Sequence, residues 1–384
     1  MAFCGAFCSG GGTSNAEQPE PCAQSPGPFK LGLIADIQYA DRDDGTDFSG
    51  REHRHFRHAL EVAMRAVQHW NEAGVDKVIQ LGDVIDGYNS QAKQTDSALN
   101  AVLDVLDACR ARARYDVIGN HDLYNFPRSA LQGSRLQCFG EEGKVYRVER
   151  LNNRWDAVIL DGYERALIHA EDDGFEAAQK LMRKHNPQVF GERADWFAGL
   201  PKEKHRFVPY NGAVSSAQMA WLEGALKVSA AEGRKVLVFT HIPLFVGATK
   251  ESTLLWNAEA VLKILHTYRD TVVAVFAGHD HDGGYAVDPA GLHHITMNSA
   301  LTADVGSDCC AVLECYDDGR ARFIAHGRAC VVSKTSGQGK AYAELHLEKG
   351  FGNEPSLPAR QPDGAGAAEM RAARLARFDT PGGT

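Results

Sequence analysis

The stretch TVVAVFAGHDHDGG, Thr271 to Gly284, joins a β-branched, apolar run to two histidines set one residue apart between glycines. Its first half reads as a buried strand: continuous apolar residues, too few for a helix, closed by a glycine. Its second half poses the question. His279 and His281, with Asp280 and Asp282 beside them, are either surface loop residues or ligands carried at a strand end. A lone pair of this kind means little, so the reading turns on whether metal-type residues recur at the ends of other strands.

They do. KLGLIAD (30–36), DKVIQLGD (76–83), RYDVIGNHD (114–122), WDAVILDG (155–162) and RKVLVFTHIP (234–243) are further apolar runs that end in polar residues. Helical patterns lie between them at 51–72, 90–112, 215–230 and 256–267. Alternation of this kind means an α/β architecture with helices covering the sheets. The later runs HHITMN (293–298), CAVLECY (310–316) and ARFIAHG (321–327) have no helices between them and suggest a second, antiparallel portion. Asp36 and Gln38 close the first strand, Asp83 the second, Asn120 with His121 the third, His241 a later one, and His279 with His281 the last. Ligands of open α/β sheets bind outside the carboxyl ends of strands, so these residues would meet on one rim. Taken singly, Asp36 or Asp83 reads as a helix N-cap and Asn120 as a turn residue. Their joint recurrence argues for a site.

Composition narrows what that site handles. A net charge of -9 and a pI near 6.0 in 384 residues argue against a nucleic-acid surface. An anionic substrate would need local positive charge, which metal ions supply. Nine cysteines without a spacing pattern read as thiols of a reducing compartment, hence a cytoplasmic protein. No apolar run reaches the ~18 residues of a membrane span. The N-terminus, MAFCGAFCSGGG, lacks the basic segment of a secretory signal. Residues 1–28 are expected to be a disordered leader, 29–354 the folded domain, and 355–384 a low-complexity tail with a short helix over 367–378.

The series IADIQYAD, LGDVIDGYN, GNHDLYNF, LVFTHIPL and FAGHDHDGGY resembles the calcineurin-like metallophosphoesterases, and within them the manganese-dependent ADP-ribose/CDP-alcohol diphosphatases. The resemblance implies a four-layer αββα sandwich of two mixed sheets. It also implies two divalent ions, Mn²⁺ preferred and Mg²⁺ possible. Asp36, Gln38 and His281 would hold one, Asn120, His241 and His279 the other, and Asp83 would bridge them. Most of the superfamily has His where this chain has Gln38; an amide oxygen suits Mn²⁺ or Mg²⁺ better than Zn²⁺. Hydrolysis of a phosphoanhydride in a nucleoside-diphosphate-linked compound would follow, by attack of a metal-bound hydroxide. His121 would act as general acid or charge stabiliser, with Asp86 orienting it and Asp122 as the rival for that role.

Substrate contacts are expected from Arg51, Tyr88, Asn89, Tyr124 and Tyr210, with Asn125 and Asn211 nearby. His53, His55 and His58 read as a polar helix face rather than a second metal cluster. The partner is a small nucleotide diphosphate; no nucleic acid, no membrane and a monomer are expected. ADP-ribose, CDP-choline, CDP-glycerol, cyclic ADP-ribose and FAD stay open as substrates. Two alternatives stay open as well: a phosphomonoesterase or cyclic nucleotide phosphodiesterase on the same metal core, and a non-catalytic scaffold of the same fold.

Overall fold

Strand Phe29–Ile34 is the hinge of the architecture: it pairs in parallel with Lys77–Gln80 and antiparallel with Cys309–Cys315. The sheet continues outward to Ala113–Asp116 on one side, and to Ala321–Gly327 and Glu344–Leu347 on the other. A second six-stranded sheet runs Gly284–Val287, His293–Thr296, Val272–Ala277, Lys235–Phe239, Trp155–Ile159, Arg147–Arg150. Its four inner strands are parallel and its two edges antiparallel. Both sheets are therefore mixed. The computed structural model describes residues 27–47, 50–140, 142–191, 195–332 and 341–348. Nearly all of the 1–28 leader, the 355–384 tail and the 367–378 helix lie outside them.

The two sheets face one another through apolar side chains. Phe276 of the second sheet meets Phe323 of the first at 6.1 Å between ring centroids, and Phe239 stacks on Phe276 at 5.4 Å. The Trp155 indole N–H crosses to the carbonyl of Tyr316. Helices cover the outer faces. His58–Ala73 carries fully buried Trp70, whose indole donates to the carbonyl of Ala311, and Thr95–Asp107 packs beside it. Ser216–Ala231, capped by the Ser215 side chain, and Ala258–Thr267 cover the second sheet. The result is the expected four-layer αββα sandwich.

Several boundaries differ from the sequence reading. The 51–72 pattern becomes helix only from His58. His53–Arg54 pairs with Gly45–Thr46, the Asp47 carboxylate accepts the N–H groups of Arg51 and Glu52, and His55 N–H bonds to Leu301. These tertiary bonds override helical propensity. The three histidines consequently share no face: His55 meets Asp44, while His58 is buried against Glu61 and Gly306. The 90–112 pattern splits into Tyr88–Ala92 and Thr95–Asp107 around Lys93, which has φ 57°. The later strands form no separate portion. His293–Thr296 runs parallel to Val272–Ala277 in the second sheet, whereas the next two join the first. Apolar patterning reports burial and does not specify a strand's partner.

Candidate metal centre

The carboxyl ends of the central strands of both sheets meet at one edge. Backbone bonds from Asp36 to Gly82 and from Gln38 to Asp83 extend the first sheet's parallel ladder, and Gly278 N–H bonds to His241 in the second. Side-chain ligand atoms of Asp36, Asp83 and His241 all lie within 4.8 Å of one another, and all three residues are buried. Among the described residues, five other than glycine have positive φ, and four of them are Asp36, Gln38, Asp83 and His279. Left-handed backbone at non-glycine residues costs energy, and such strain collects where function requires it. The glycines of the GD, GN and GH motifs serve a different need. A Cβ on Gly82, Gly119 or Gly278 would lie 2.3 Å from His241 Nδ1, 2.0 Å from Asp83 Oδ1 or 2.5 Å from Asp36 Oδ2, respectively. The cradle exists because those side chains are missing.

The histidines share one arrangement. His241 Nδ1 lies 2.7 Å from the carbonyl of Leu81, so it carries the hydrogen and donates it. Its Nε2 is buried without a hydrogen-bond partner, 3.5 Å from Asp83 Oδ2 and 3.9 Å from Asp36 Oδ1. His281 Nδ1 donates to Glu52 at 2.7 Å, leaving Nε2 at 3.6 Å from Asp36 Oδ1. His279 Nε2 donates to Asn211 Oδ1 at 2.6 Å, and its backbone N–H reaches both Asp36 oxygens. Each ring thus has one nitrogen held by an oxygen acceptor, and in His241 the other is left bare, the pattern of metal-ligating histidines.

Electrostatics point the same way. Burial pushes the His241 imidazole down, but the Asp83 and Asp36 carboxylates outweigh it and lift it to about 9. Burial likewise opposes protonation of His281, and Glu52 with Asp36 raises it to about 10. The field here favours positive charge. Gln38 fits between these groups: its Nε2 lies 2.9 Å from both Asp83 Oδ2 and His281 Nε2, and its buried Oε1 has no partner. A bare imidazole nitrogen facing two buried carboxylates, beside an amide that can turn its free oxygen to them, suits divalent cations bound by oxygen and imidazole nitrogen.

The GNHD motif lies on the first turn of a short helix, Asn120–Asn125, not on a strand end. Asn120 is buried and accepts the Tyr163 hydroxyl at 2.9 Å. His121 N–H donates to Asp83 Oδ1 at 2.7 Å, which ties this helix to the cluster. Its ring Nδ1 lies 3.1 Å from Asp86 Oδ2 and 3.0 Å from the Gly87 backbone N–H, so the Asp86–Gly87 segment and not Asp122 orients it. Asp122 is occupied by the backbone N–H groups of Asp83, Val84 and Gly119. Burial opposes protonation of His121, yet Asp83 and Asp86 prevail and raise it.

The expected substrate contacts divide. Tyr124 is exposed, its ring 5.2 Å from His121. Tyr210 lies 5.9 Å from His279 and 6.0 Å from Trp196, forming an aromatic step beside the cluster. Tyr88 has one ring face taken by the Arg42 guanidinium at 4.4 Å. Asn89 is fully buried, its amide donating to the carbonyls of Tyr39 and Asp86, so it shapes the loop and cannot face a ligand. Asn125 is likewise spent on the carbonyls of Asp86 and His121. Arg51 is exposed, and its side chain makes no contact with the cluster among the described residues. Sequence reasoning missed Glu52, Tyr163 and Arg54. No motif marks them, and a position beside the expected Arg51 was the only available signal for Glu52.

Comparison with known proteins matches residues 29–283 to the calcineurin-like phosphoesterase family model. The chain belongs to the calcineurin-like phosphoesterase family. Among its curated relatives is a manganese-dependent ADP-ribose/CDP-alcohol diphosphatase from Bos taurus, 32% identical over 79% of this chain and 92% of the relative. Another of the same name, from Oryza sativa subsp. japonica, is 36% identical over 76% of this chain and 89% of the relative. A crystal structure of a dimetal phosphatase from Danio rerio superposes with a TM-score of 0.76 at 31% identity, covering 85% of this chain and all of that one.

Proposed function

We propose that this member of the family hydrolyses the phosphoanhydride bond of nucleoside-diphosphate-linked compounds such as ADP-ribose and CDP-alcohols, with Mn²⁺ as its preferred metal. One observation carries the reading: His241, its Nδ1–H held by the Leu81 carbonyl, turns an unpartnered Nε2 toward the buried carboxylates of Asp83 and Asp36, with His281 and His279 each fixed by an oxygen beside it. Asp36, Gln38 and His281 would hold one ion, Asn120, His241 and His279 the second, with Asp83 between them. Two such ions, when bound, activate water and neutralise phosphoryl oxygens. The chain's own contributions follow from its geometry. Gln38 presents its unpartnered Oε1 by turning its amide. Leu81, Glu52 and Asn211 keep the three imidazoles in the ligating tautomer. His121, held by Asp86 and raised toward protonation, faces the phosphoryl group as acid or charge stabiliser.

The names of the relatives support this substrate class and metal. The cysteine pattern supports a cytoplasmic location. No helix among the described residues is long and apolar enough to cross a membrane. The test is turnover by metal-stripped protein, titrated with Mn²⁺, across ADP-ribose, CDP-choline, CDP-glycerol, cyclic ADP-ribose, FAD, several phosphomonoesters and a cyclic nucleotide. Mn²⁺-dependent cleavage of the linked diphosphates at the highest kcat/KM supports the proposal. A preference for monoesters or cyclic nucleotides replaces it, and no turnover with any metal leaves only the scaffold.

A further inference from the structure

A linked diphosphate carries two phosphates, and the Asp83 cluster can take only the one under attack. The other needs its own cation in a chain of net charge -9. Most cations near the site are already paired. Lys250 is held by Asp280 and Asp282 at 3.2 and 2.6 Å, Arg57 by Asp41 and Asp43, and Arg128 by Asp161.

Arg54 differs. It ends the short ribbon in which His53–Arg54 pairs with Gly45–Thr46. Its Nε donates at 3.1 Å to Glu52 Oε1, the oxygen that also accepts from His281 Nδ1. This single bond places the guanidinium one side chain away from a candidate metal ligand. Its two terminal nitrogens have no protein acceptor among the described residues, and the side chain is 21% exposed. A guanidinium anchored along one edge is a preorganised fork, and its open edge matches the paired oxygens of a phosphate.

We propose that Arg54 grips the second phosphate of a diphosphate substrate and thereby sets a preference for phosphoanhydrides over single-phosphorus esters. This rests on the diphosphatase reading above. Glu52 then has two duties: it fixes His281 toward the metal and aims Arg54 toward the substrate. Recognition and chemistry are linked through one carboxylate.

The experiment compares wild type, Arg54→Gln and Arg54→Lys at saturating Mn²⁺, on ADP-ribose and on the p-nitrophenyl ester of thymidine 5′-monophosphate, which has one phosphorus. Arg54→Gln should lower kcat/KM for ADP-ribose by about 10–10²-fold, chiefly through KM, as expected for losing charge-assisted hydrogen bonds. The nucleotide ester should change by less than about threefold, since no second phosphate is present to lose. Binding of the α,β-methylene analogue of ADP-ribose should weaken in parallel, and Arg54→Lys should recover part of the loss. Half-saturating Mn²⁺ should stay within about twofold, because Glu52 still holds His281. Equal losses on both substrates, or a raised Mn²⁺ requirement accompanying them, would mean Arg54 acts only through Glu52 and His281, which overturns the proposal. ADP-ribose turnover that Arg54→Gln leaves intact overturns the Arg54 assignment alone. Absence of ADP-ribose turnover in the wild type overturns the diphosphatase reading, and this one with it.

Discussion

Two clusters in this molecule set a buried aspartate among histidines, and they are built on opposite logic. In the hairpin turn between Gly284–Val287 and His293–Thr296, Asp288 Oδ1 accepts the N–H groups of Ala290 and Leu292, and Oδ2 accepts His266 and His294 at 2.7 and 3.0 Å. Every donor meets an acceptor, and the turn is stapled. At the strand ends, His241 uses its N–H on a carbonyl and turns a bare nitrogen toward the carboxylates of Asp83 and Asp36. Acceptor faces acceptor there, which is unfavourable unless a cation lies between or the ring takes up a second proton, which the two carboxylates favour. The same residue types thus make a structural staple or an ion site, according to which imidazole nitrogen is already engaged.

The comparison breaks most sharply at Asp83. Asp83→Asn keeps the side-chain size but halves the buried negative charge that Asp36 and Asp83 present together. Turnover of ADP-ribose should fall by at least about 10³-fold, the upper end for removing one electrostatic stabiliser. The rise in melting temperature produced by Mn²⁺ should vanish as well. Thermal melts with and without the metal distinguish this from misfolding, because the metal-free variant should melt close to the metal-free wild type. Near-normal turnover at saturating Mn²⁺ would remove Asp83 from the bridging position.

His121 sits between the two logics: it is paired with Asp86 as in a staple, yet it stands at the site. His121→Ala should slow ADP-ribose hydrolysis by about 10²-fold, the low end for a positioned acid, because a nucleotide phosphate is a weakly basic leaving group. The loss should be larger on an alkyl phosphodiester. Equal losses on both would assign His121 to charge stabilisation rather than proton donation.

These comparisons also show what could be read from the chain. The strands were legible because buried runs such as Val272–Ala277 are apolar throughout, and the site was legible because each run ends in Asp, Asn or His. Glu52 was not. It meets His281 across 229 positions of sequence, through a two-residue ribbon whose pairing no hydrophobic period encodes. The placement of His293–Thr296 beside Val272–Ala277 was illegible for a related reason, since hydropathy says that a strand is buried and not which neighbour buries it. The tautomers that separate ion site from staple depend on single carbonyls such as Leu81, and a backbone carbonyl is invisible in any sequence.

Glu52 offers a graded test. Glu52→Gln keeps an oxygen acceptor for His281 Nδ1 but removes the charge, so His281 becomes a poorer ligand without leaving its place. Half-saturating Mn²⁺ should rise by about 10–100-fold, the usual effect of losing the carboxylate behind a ligating histidine. Turnover at saturating Mn²⁺ should recover most of its wild-type value. An unchanged metal requirement would move His281, like Asp288's partners, to the structural side of the comparison.

The smallest effect on catalysis belongs to the staple itself. Asp288→Asn should leave kcat/KM for ADP-ribose within about twofold, as expected of a substitution that touches no reacting group. It should cost about 1–3 kcal/mol of stability, because one oxygen that accepted two imidazoles becomes an amide donor. The pH dependence supplies the sign. Burial pushes the Asp288 carboxyl up, but bonds from His294, the Leu292 N–H and His266 outweigh it and hold the group well below the usual carboxylate range. The unfolded chain therefore binds this proton first as the pH falls. The stabilisation is fully present above the unfolded carboxylate value of about 4 and is lost as the pH drops toward the folded value. Burial also lowers His294, whose bond to Asp288 only partly compensates, so folding becomes costlier below about 6.5 in its own right. Urea denaturation of both proteins at a series of pH values should show a gap that is widest near neutrality and closes as the pH falls below about 4. A gap that widened with acid would mean that Asp288 is protonated in the folded protein. The turn would then be no charged staple, and its contrast with the bare acceptors around Asp83 would rest on geometry alone.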